Sequence, residues 1–122
     1  MTDQPLKSRL AEALGPLEAE TVHVGVFDYA GMFRERRLKT ADFLASAETA
    51  VFANVLAKWD VGEEIRWPGP YRSEEIAIDP ASVRPYPFEA KAAAVVADYR
   101  GPQAEIMPRQ VLRRQIERAA GL

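Results

Sequence analysis

A β-hairpin pattern in the first third of the chain constrains the fold more than any other feature. Valines occupy every second position of residues 22–26, which is the period of a strand with one buried face. Residues 28–31 supply the turn, because Gly31 is free to adopt a positive φ. The charged residues 32–39 form the return strand, and their charges suit a strand with one solvent-facing side.

Two helices are predicted on either side of this hairpin. Leucines recur at every fourth position across residues 5–14, and Gly15-Pro16 ends that helix. Thr40 is a predicted N-cap for a short helix over residues 41–50. Its apolar side would consist of Phe43, Leu44 and Ala47.

A third helix is predicted at the C-terminal end of the chain. Pro108 suits its first position, where the missing amide proton costs nothing, and Gly121 ends it. Its predicted buried side consists of Leu112, Ile116 and Ala119.

The most apolar segment, residues 91–99, is predicted to be a strand at the centre of the sheet. Its alanine content makes a helix the competing interpretation, but the proline before it and the Arg100-Gly101-Pro102 turn after it favour a strand. Shorter extended segments are predicted at residues 76–78 and 82–86. Residues 61–71 are rich in glycine and proline and are predicted to form a long surface loop. The pattern is typical of an α+β domain.

Composition excludes several function classes. The 122 residues suffice for about one domain, and the absence of cysteine excludes disulfides and thiolate metal sites. The sequence has no signal peptide and no apolar run long enough for a membrane helix, which indicates a cytoplasmic protein without a membrane partner. The formal charge of −2 argues against a general nucleic-acid binder. A basic cluster, Arg109, Arg113, Arg114 and Arg118, is interpreted as a solvated face, and nucleic-acid binding by it is the least favoured hypothesis.

Residues 22–38, 78–88 and 107–114, taken in this order, resemble segments of the N-terminal β-grasp domain of the glutamine synthetase family. Residues 22–38 resemble the opening hairpin of that domain, with Asp-x-x-Gly at the turn and basic residues after it. Residues 78–88 (Ile-Asp-Pro-Ala-Ser-Val-Arg-Pro-Tyr-Pro-Phe) are similar to the stretch before its central strand, and residues 107–114 (Met-Pro-Arg-Gln-Val-Leu-Arg-Arg) to its Pro-Arg helix start.

The resemblance implies an α+β, β-grasp-like fold, a small mixed sheet packed with helices. It divides the chain into an N-terminal helix and linker at residues 1–20, the β-grasp domain at 21–107, and a C-terminal linker helix at 108–122 that leads to an absent catalytic domain. Within the family, the sequence resembles the members that make γ-glutamyl amines and polyamines more closely than the ammonia-specific members.

The function implied is that of a non-catalytic part of an ATP-dependent ligase of nitrogen metabolism and glutamine biosynthesis. Such a ligase joins glutamate to ammonia or an amine, and this domain completes the active site of a neighbouring subunit in a homo-oligomer. ATP and Mg or Mn are expected for the full-length parent, while no cofactor or metal is expected in this chain. Glu63-Glu64 and Glu74-Glu75 lie in loop-like sequence and are interpreted as solvated carboxylates. The alternative is a free-standing β-grasp binding module or adaptor.

Asp60 is the best match to the acidic residue that the family places near the amine. A carboxylate there would attract the ammonium cation before it loses a proton. The alternative interpretation is that Asp60 caps a turn while Trp59 packs nearby. The ammonia-specific pattern Asp-Gly-Ser-Ser is absent after Asp60, which favours a larger amine.

Other side chains are assigned by the same resemblance or by their position in the strands. The aromatic residues that could line the path of an organic amine are Trp59, Trp67 and Tyr71, although aromatic loop residues more often anchor a loop or fill an interface. The predicted contacts to a neighbouring catalytic domain are Arg34, Arg36 and Arg37, for which an exposed sheet face is the alternative. His23 is predicted to be a surface residue and not a metal ligand.

Overall fold

The structure, a computed structural model, describes residues 4–122, and that range contains three α-helices and six β-strands joined by turns, several of them 3-10 turns. The helices are α1 (Leu6–Leu14), α2 (Thr40–Ser46) and α3 (Pro108–Ala120). The strands are β1 (Thr21–Phe27), β2 (Phe33–Lys39), β3 (Val51–Ala53), β4 (Ser73–Ile78), β5 (Arg84–Pro85) and β6 (Ala92–Tyr99). Residues 1–3, which begin the predicted N-terminal segment and bear on the signal-peptide prediction, lie outside the described residues.

The strands form one mixed, curled sheet in the order β2-β1-β6-β4-β3. β1 and β6 run parallel, from the pair Thr21 and Ala92 to the pair Gly25 and Val96, whereas the other ladders are antiparallel. The second edge of β6 pairs first with the short β5 and then with β4. β6 is therefore central, as its apolar sequence predicts, and the α+β, β-grasp-like fold is confirmed.

One face of the sheet packs on α1 and α2 to make the core. The β1 valines point to this face together with alternate residues of β6, and Leu10 and Leu14 of α1 cover them. Tyr99 is fully buried, and its hydroxyl donates a hydrogen bond to the carbonyl of Ala53, which connects the central strand to β3. Full burial of one leucine side chain contributes about 1.5–3 kcal/mol. The two buried leucines of α1 therefore account for a substantial share of the stability of the fold.

The opposite face of the sheet carries a polar cluster around a buried histidine, which the sequence did not reveal. His23, predicted to be a surface residue, is only 5% exposed. The ring of Tyr86 stacks on it at 3.7 Å, and the two imidazole nitrogens lie 2.9 Å from carboxylate oxygens of Glu35 and Glu89. The surface prediction is wrong because the segment after β5 folds back over this face and covers the imidazole.

The N-cap predicted for α2 is also wrong. Thr40 is the first residue of the helix, and Lys39 holds the N-cap position. The Thr40 hydroxyl donates to the carbonyl of Ala19 at 2.7 Å, so it connects the helix start to the linker before β1. The helix ends at Ser46 and continues as a 3-10 turn over Ala47–Thr49.

The first turn of α3 is held against the sheet by ion pairs. Arg109 donates one hydrogen bond to Asp98 of β6 and a second, at 2.7 Å, to Asp79 just after β4. Met107, which precedes the helix, is buried in the core.

The predicted buried side of α3 is wrong. Leu112 and Ile116 are 60% and 59% exposed, and Ala119 is exposed as well. Every residue of α3 from position 111 to position 120 is exposed, so no described element covers this side. No helix within residues 4–122 has the length and apolarity needed to cross a membrane. The three-part division of the chain stays a prediction.

Replacing Gly25 by alanine is expected to destabilise the fold. A Cβ at this position would lie 2.1 Å from the backbone oxygen of Arg34 on the neighbouring strand, so the two strands would have to separate. We expect a loss of about 1–3 kcal/mol in the free energy of unfolding, measured with urea. Gly15→Ala is the control, because a Cβ there meets no atom within 4 Å, and it should be neutral or slightly stabilising.

Glu89→Gln is expected to reduce the acid sensitivity of the fold. The guanidinium of Arg37, together with His23 and Thr21, holds the pKa of Glu89 at about 2, below its ordinary value of 4.5. A depressed carboxyl pKa stabilises the folded state above pH 4.5, and this contribution disappears as the pH falls toward 2. The stability difference between the wild type and Glu89→Gln in urea titrations should therefore shrink from pH 6 to about pH 2.5. The exposed Glu48→Gln is the control, and a difference that stays constant with pH contradicts the prediction.

Candidate functional site

The turn between β1 and β2 is built around a buried carboxylate. Asp28 is 1% exposed, and its Oδ1 accepts hydrogen bonds from the backbone amides of Ala30 and Met32. Its Oδ2 accepts from Nε of Arg34 at 2.9 Å. Charge-assisted bonds of this kind are roughly twice as strong as neutral ones, so the turn and the start of β2 are held together.

Arg34 connects this turn to the long loop. Besides Asp28, its guanidinium binds the carboxylate of Glu63 and lies 5.1 Å from the ring centroid of Trp59. A guanidinium over an indole face is attracted by the ring quadrupole. On the same side, the hydroxyl of Tyr29 reaches the carbonyl of Ala57 at 3.5 Å. Residues that are about thirty positions apart in sequence therefore form one surface.

Asp60 organises the first half of the loop. Its Oδ1 accepts hydrogen bonds from the amides of Gly62 and Glu64, and its Oδ2 pairs with Nε of Arg66 at 2.6 Å. The backbone of Trp59 bridges that of Ile65, so the segment is a small closed turn. Asp60 therefore does cap a turn, as one of the two interpretations of the sequence expects.

The charge state of Asp60 follows from these partners. The hydrogen bond from Arg66, followed by the amide of Glu64, lowers the pKa of Asp60 below its ordinary value of 3.8. Asp60 is consequently ionised at neutral pH. A carboxylate with a depressed pKa is a weak base but an effective partner for a cation.

The second half of the loop is held by Asn54. This side chain is 2% exposed, and its amide donates to the carbonyl of Pro70 at 2.9 Å. The side-chain oxygen of Asn54 accepts from the backbone amide of Arg72 at 3.1 Å, and the backbone amide of Asn54 donates to the Arg72 carbonyl. The long loop predicted at residues 61–71 is therefore present and fixed at both ends.

An open depression of about 630 Å³ lies between the turn, the loop and the segment before α3. Its walls are mostly apolar, and Asp60 is its one carboxylate. The ring centroids of Tyr29 and Trp67, which both line it, lie 6.4 Å apart. The residues that line it are Tyr29, Asp60, Val61, Trp67 and Ile106. Burial raises the pKa of Tyr29, so its phenol is neutral at physiological pH.

Sequence reasoning located part of this site. Of the four residues predicted at the amine site, Asp60 and Trp67 line the depression. Trp59 is half-buried beneath Arg34, and its buried indole N–H has no acceptor among the described residues. Tyr71 lies outside the lining, and its hydroxyl donates to the Trp67 carbonyl. Tyr29 was missed, although its position in the turn directly after the valine strand was a usable signal.

The three arginines predicted to form one interface lie on two faces of the sheet. Val26 pairs with Arg34 and Val24 with Arg36, which places both arginines on the core side of β2. Arg37 pairs with His23 and points to the other face, where it binds Glu89. Of the three arginines, only Arg34 contacts residues of the segment that borders the depression, namely Glu63 and Trp59.

The carboxylates of the described chain do not fit a metal site. Within residues 4–122, no group of three or more His, Asp or Glu side chains is placed to hold an ion. Glu63 and Glu64 are exposed and bound to arginines, as the solvated interpretation expects. Glu74 differs from that interpretation, because it lies in β4, is 15% exposed, and accepts hydrogen bonds from Arg72, Asn54 and Gln103.

Solved structures that are similar to this chain include two of one enzyme. No protein-family model and no curated protein matches the sequence. The structures are of GmaS, a gamma-glutamylmethylamide synthetase of the glutamine synthetase family. A GmaS/ADP complex is 25% identical over 99% of this chain, with a TM-score of 0.68. Apo GmaS is 26% identical over 99% of this chain, with a TM-score of 0.67.

The likeness covers this whole chain but only part of GmaS. The chain spans about a quarter of the length of the GmaS chains, 26% and 27%. The match lies in the N-terminal region of GmaS, and it supports the glutamine synthetase family indicated by the sequence resemblance.

Asn54→Ala is expected to release the second half of the loop. It removes the side-chain bonds to Pro70 and Arg72 from a buried position, which should cost about 1–3 kcal/mol of stability. Trypsin cleavage after Arg66 should become faster, because the segment no longer closes on the sheet. Gln115→Ala on the exposed face of α3 is the control. Unchanged cleavage in Asn54→Ala would show that the loop is held by other contacts.

Proposed function

We propose that this chain is the N-terminal domain of a glutamine synthetase family ligase that joins glutamate to an organic amine. In this proposal the domain does not catalyse the reaction by itself and contributes one wall of the amine site in a neighbouring subunit of a homo-oligomer. The observation that carries the proposal is the match of 99% of the chain to the N-terminal region of GmaS.

Asp60 acts in this proposal as an electrostatic anchor for the ammonium form of the amine. Its pKa is held down by Arg66 and by backbone amides, so it stays ionised and accepts a proton poorly. The cation would therefore lose its proton to another group, after Asp60 has raised its local concentration. This role requires only that part of the carboxylate remain accessible, and 28% of the Asp60 side chain is exposed.

The walls of the depression favour an amine with an apolar substituent. Trp67 and Tyr29 present aromatic faces, which attract alkylated ammonium ions, and Val61 adds an apolar surface. An unsubstituted ammonium ion has no apolar group to pack against these walls, so it would gain no hydrophobic stabilisation from them. The absence of Asp-Gly-Ser-Ser after Asp60 is consistent with this preference.

ATP and the divalent metal, Mg or Mn, would be bound by the remaining part of such a ligase. The carboxylates of residues 4–122 do not converge on a metal position, so we assign no step of phosphoryl transfer to this chain. Its contribution is confined to attracting and orienting the amine and to covering the site from water.

A chimaeric ligase tests this proposal. The chain replaces the matching N-terminal region of GmaS, and amine-dependent ATP hydrolysis is measured with glutamate and methylamine. We expect activity in the chimaera and none in either part alone. Asp60→Asn keeps an oxygen for the amides of Gly62 and Glu64 but removes the charge. It should raise the KM for the amine about tenfold or more, with little change in the KM for ATP.

Glu64→Gln is the matched control, because Glu64 lies in the same loop and binds the same Arg66 but does not line the depression. It should leave the KM for the amine unchanged. A folded chimaera without amine-dependent activity would contradict the proposed function. Equal effects of Asp60→Asn on the KM values for amine and ATP would contradict the role of Asp60.

A further inference from the structure

The curl of the sheet brings its two edge strands close together without joining them. β2 and β3 share no ladder among the described residues. They meet instead through side chains, with the guanidinium of Arg36 on β2 lying 5.0 Å from the ring centroid of Phe52 on β3. The space between these two edges is closed below by the core and on one side by α2 and the turn after it.

This space is a cavity of about 170 Å³ with an apolar interior. Buried side chains from four different elements form its inner wall: Val24, Phe43, Phe52, Ile76 and Ile78. The exposed residues Ser46 and Thr49 lie at its mouth, together with half-buried Ala50. Its volume is close to that of an apolar cavity of about 150 Å³ known to hold one benzene ring.

Arg36 lies at the mouth of this cavity, and its guanidinium has no carboxylate partner among the described residues. Arg34 and Arg37, its neighbours on β2, are both bound to carboxylates. Within the described part of the chain Arg36 has no such partner, and it is exposed. The hydroxyls of Ser46 and Thr49 donate to backbone carbonyls of α2, so Arg36 is the group at the mouth that can pair with an anion. An arginine fork matches the geometry of a carboxylate.

We infer that this cavity binds a small monocarboxylate with an apolar body of about the size of benzoate. The ring enters the apolar interior, and the carboxylate pairs with Arg36 at the mouth. This site lies on strands β1 to β4 and α2, whereas the depression at Asp60 lies on the turn, the long loop and the segment before α3. The inference therefore does not depend on the proposed function.

Titration of the ¹⁵N-labelled chain with benzoate tests the inference. We expect saturable shifts of backbone amide signals at Val24, Phe43, Phe52 and Ile76, which line the cavity. Benzyl alcohol has the same ring but no charge, and it should bind about tenfold more weakly or worse. Equal affinities for benzoate and benzyl alcohol, or shifts scattered over exposed arginines, would overturn the inference. This test needs no variant of the chain.

Two substitutions separate the contributions of the cavity and the charge. Arg36→Gln should weaken benzoate binding about tenfold while leaving benzyl alcohol binding unchanged. Ala50→Leu should fill the cavity and abolish binding of both compounds, and its dispersed spectrum would show that it is folded. Arg100→Gln, at an exposed arginine outside the lining, is the control and should bind benzoate like the wild type. Benzoate binding that survives Ala50→Leu would place the ligand elsewhere.

Discussion

The ion pair between Asp28 and Arg34 is the interaction on which the candidate site depends. Asp28 is almost fully buried, and its charge is balanced by two turn amides and by the Arg34 guanidinium. The same guanidinium packs over Trp59 and binds Glu63, so it connects the hairpin to the loop. Because loss of one partner leaves a buried charge uncompensated, this connection is strongly coupled to the fold. The depression at Asp60 exists because turn and loop are held in this arrangement.

A second arginine serves the same purpose at the other end of the chain. Arg109 binds Asp79 and Asp98, which fixes the start of α3 on the sheet. Each of the three segments that resemble the glutamine synthetase family therefore contributes residues to one of these two ion-pair clusters. Asp28 and Arg34 belong to the first, Asp79 to the second and Arg109 to the third. The residues that make the resemblance recognisable are, in large part, the charges that hold the turn and the last helix in place.

Much of the fold could be predicted because its signals are local. The valine alternation and the apolar run before Tyr99 determined β1 and β6 and the central place of β6. The failures concern contacts between distant segments. His23 is buried by Tyr86, more than sixty positions away, and the apolar side of α3 is uncovered because no described element reaches it. At the candidate site, Asp60 and Trp67 were recognisable, whereas Ile106 reaches the depression through tertiary packing alone.

Amide hydrogen exchange of Arg34→Gln measures most directly whether the hairpin holds the loop, with Arg37→Gln on the opposite face as the reference. The account predicts faster exchange at the bonded loop amides of Gly62, Glu64 and Arg66 in Arg34→Gln, with β1 and β6 still protected. Arg37→Gln should leave these loop amides as in the wild type. Loop exchange that is the same in wild type and Arg34→Gln would contradict the account, because the loop would then keep its structure without the turn.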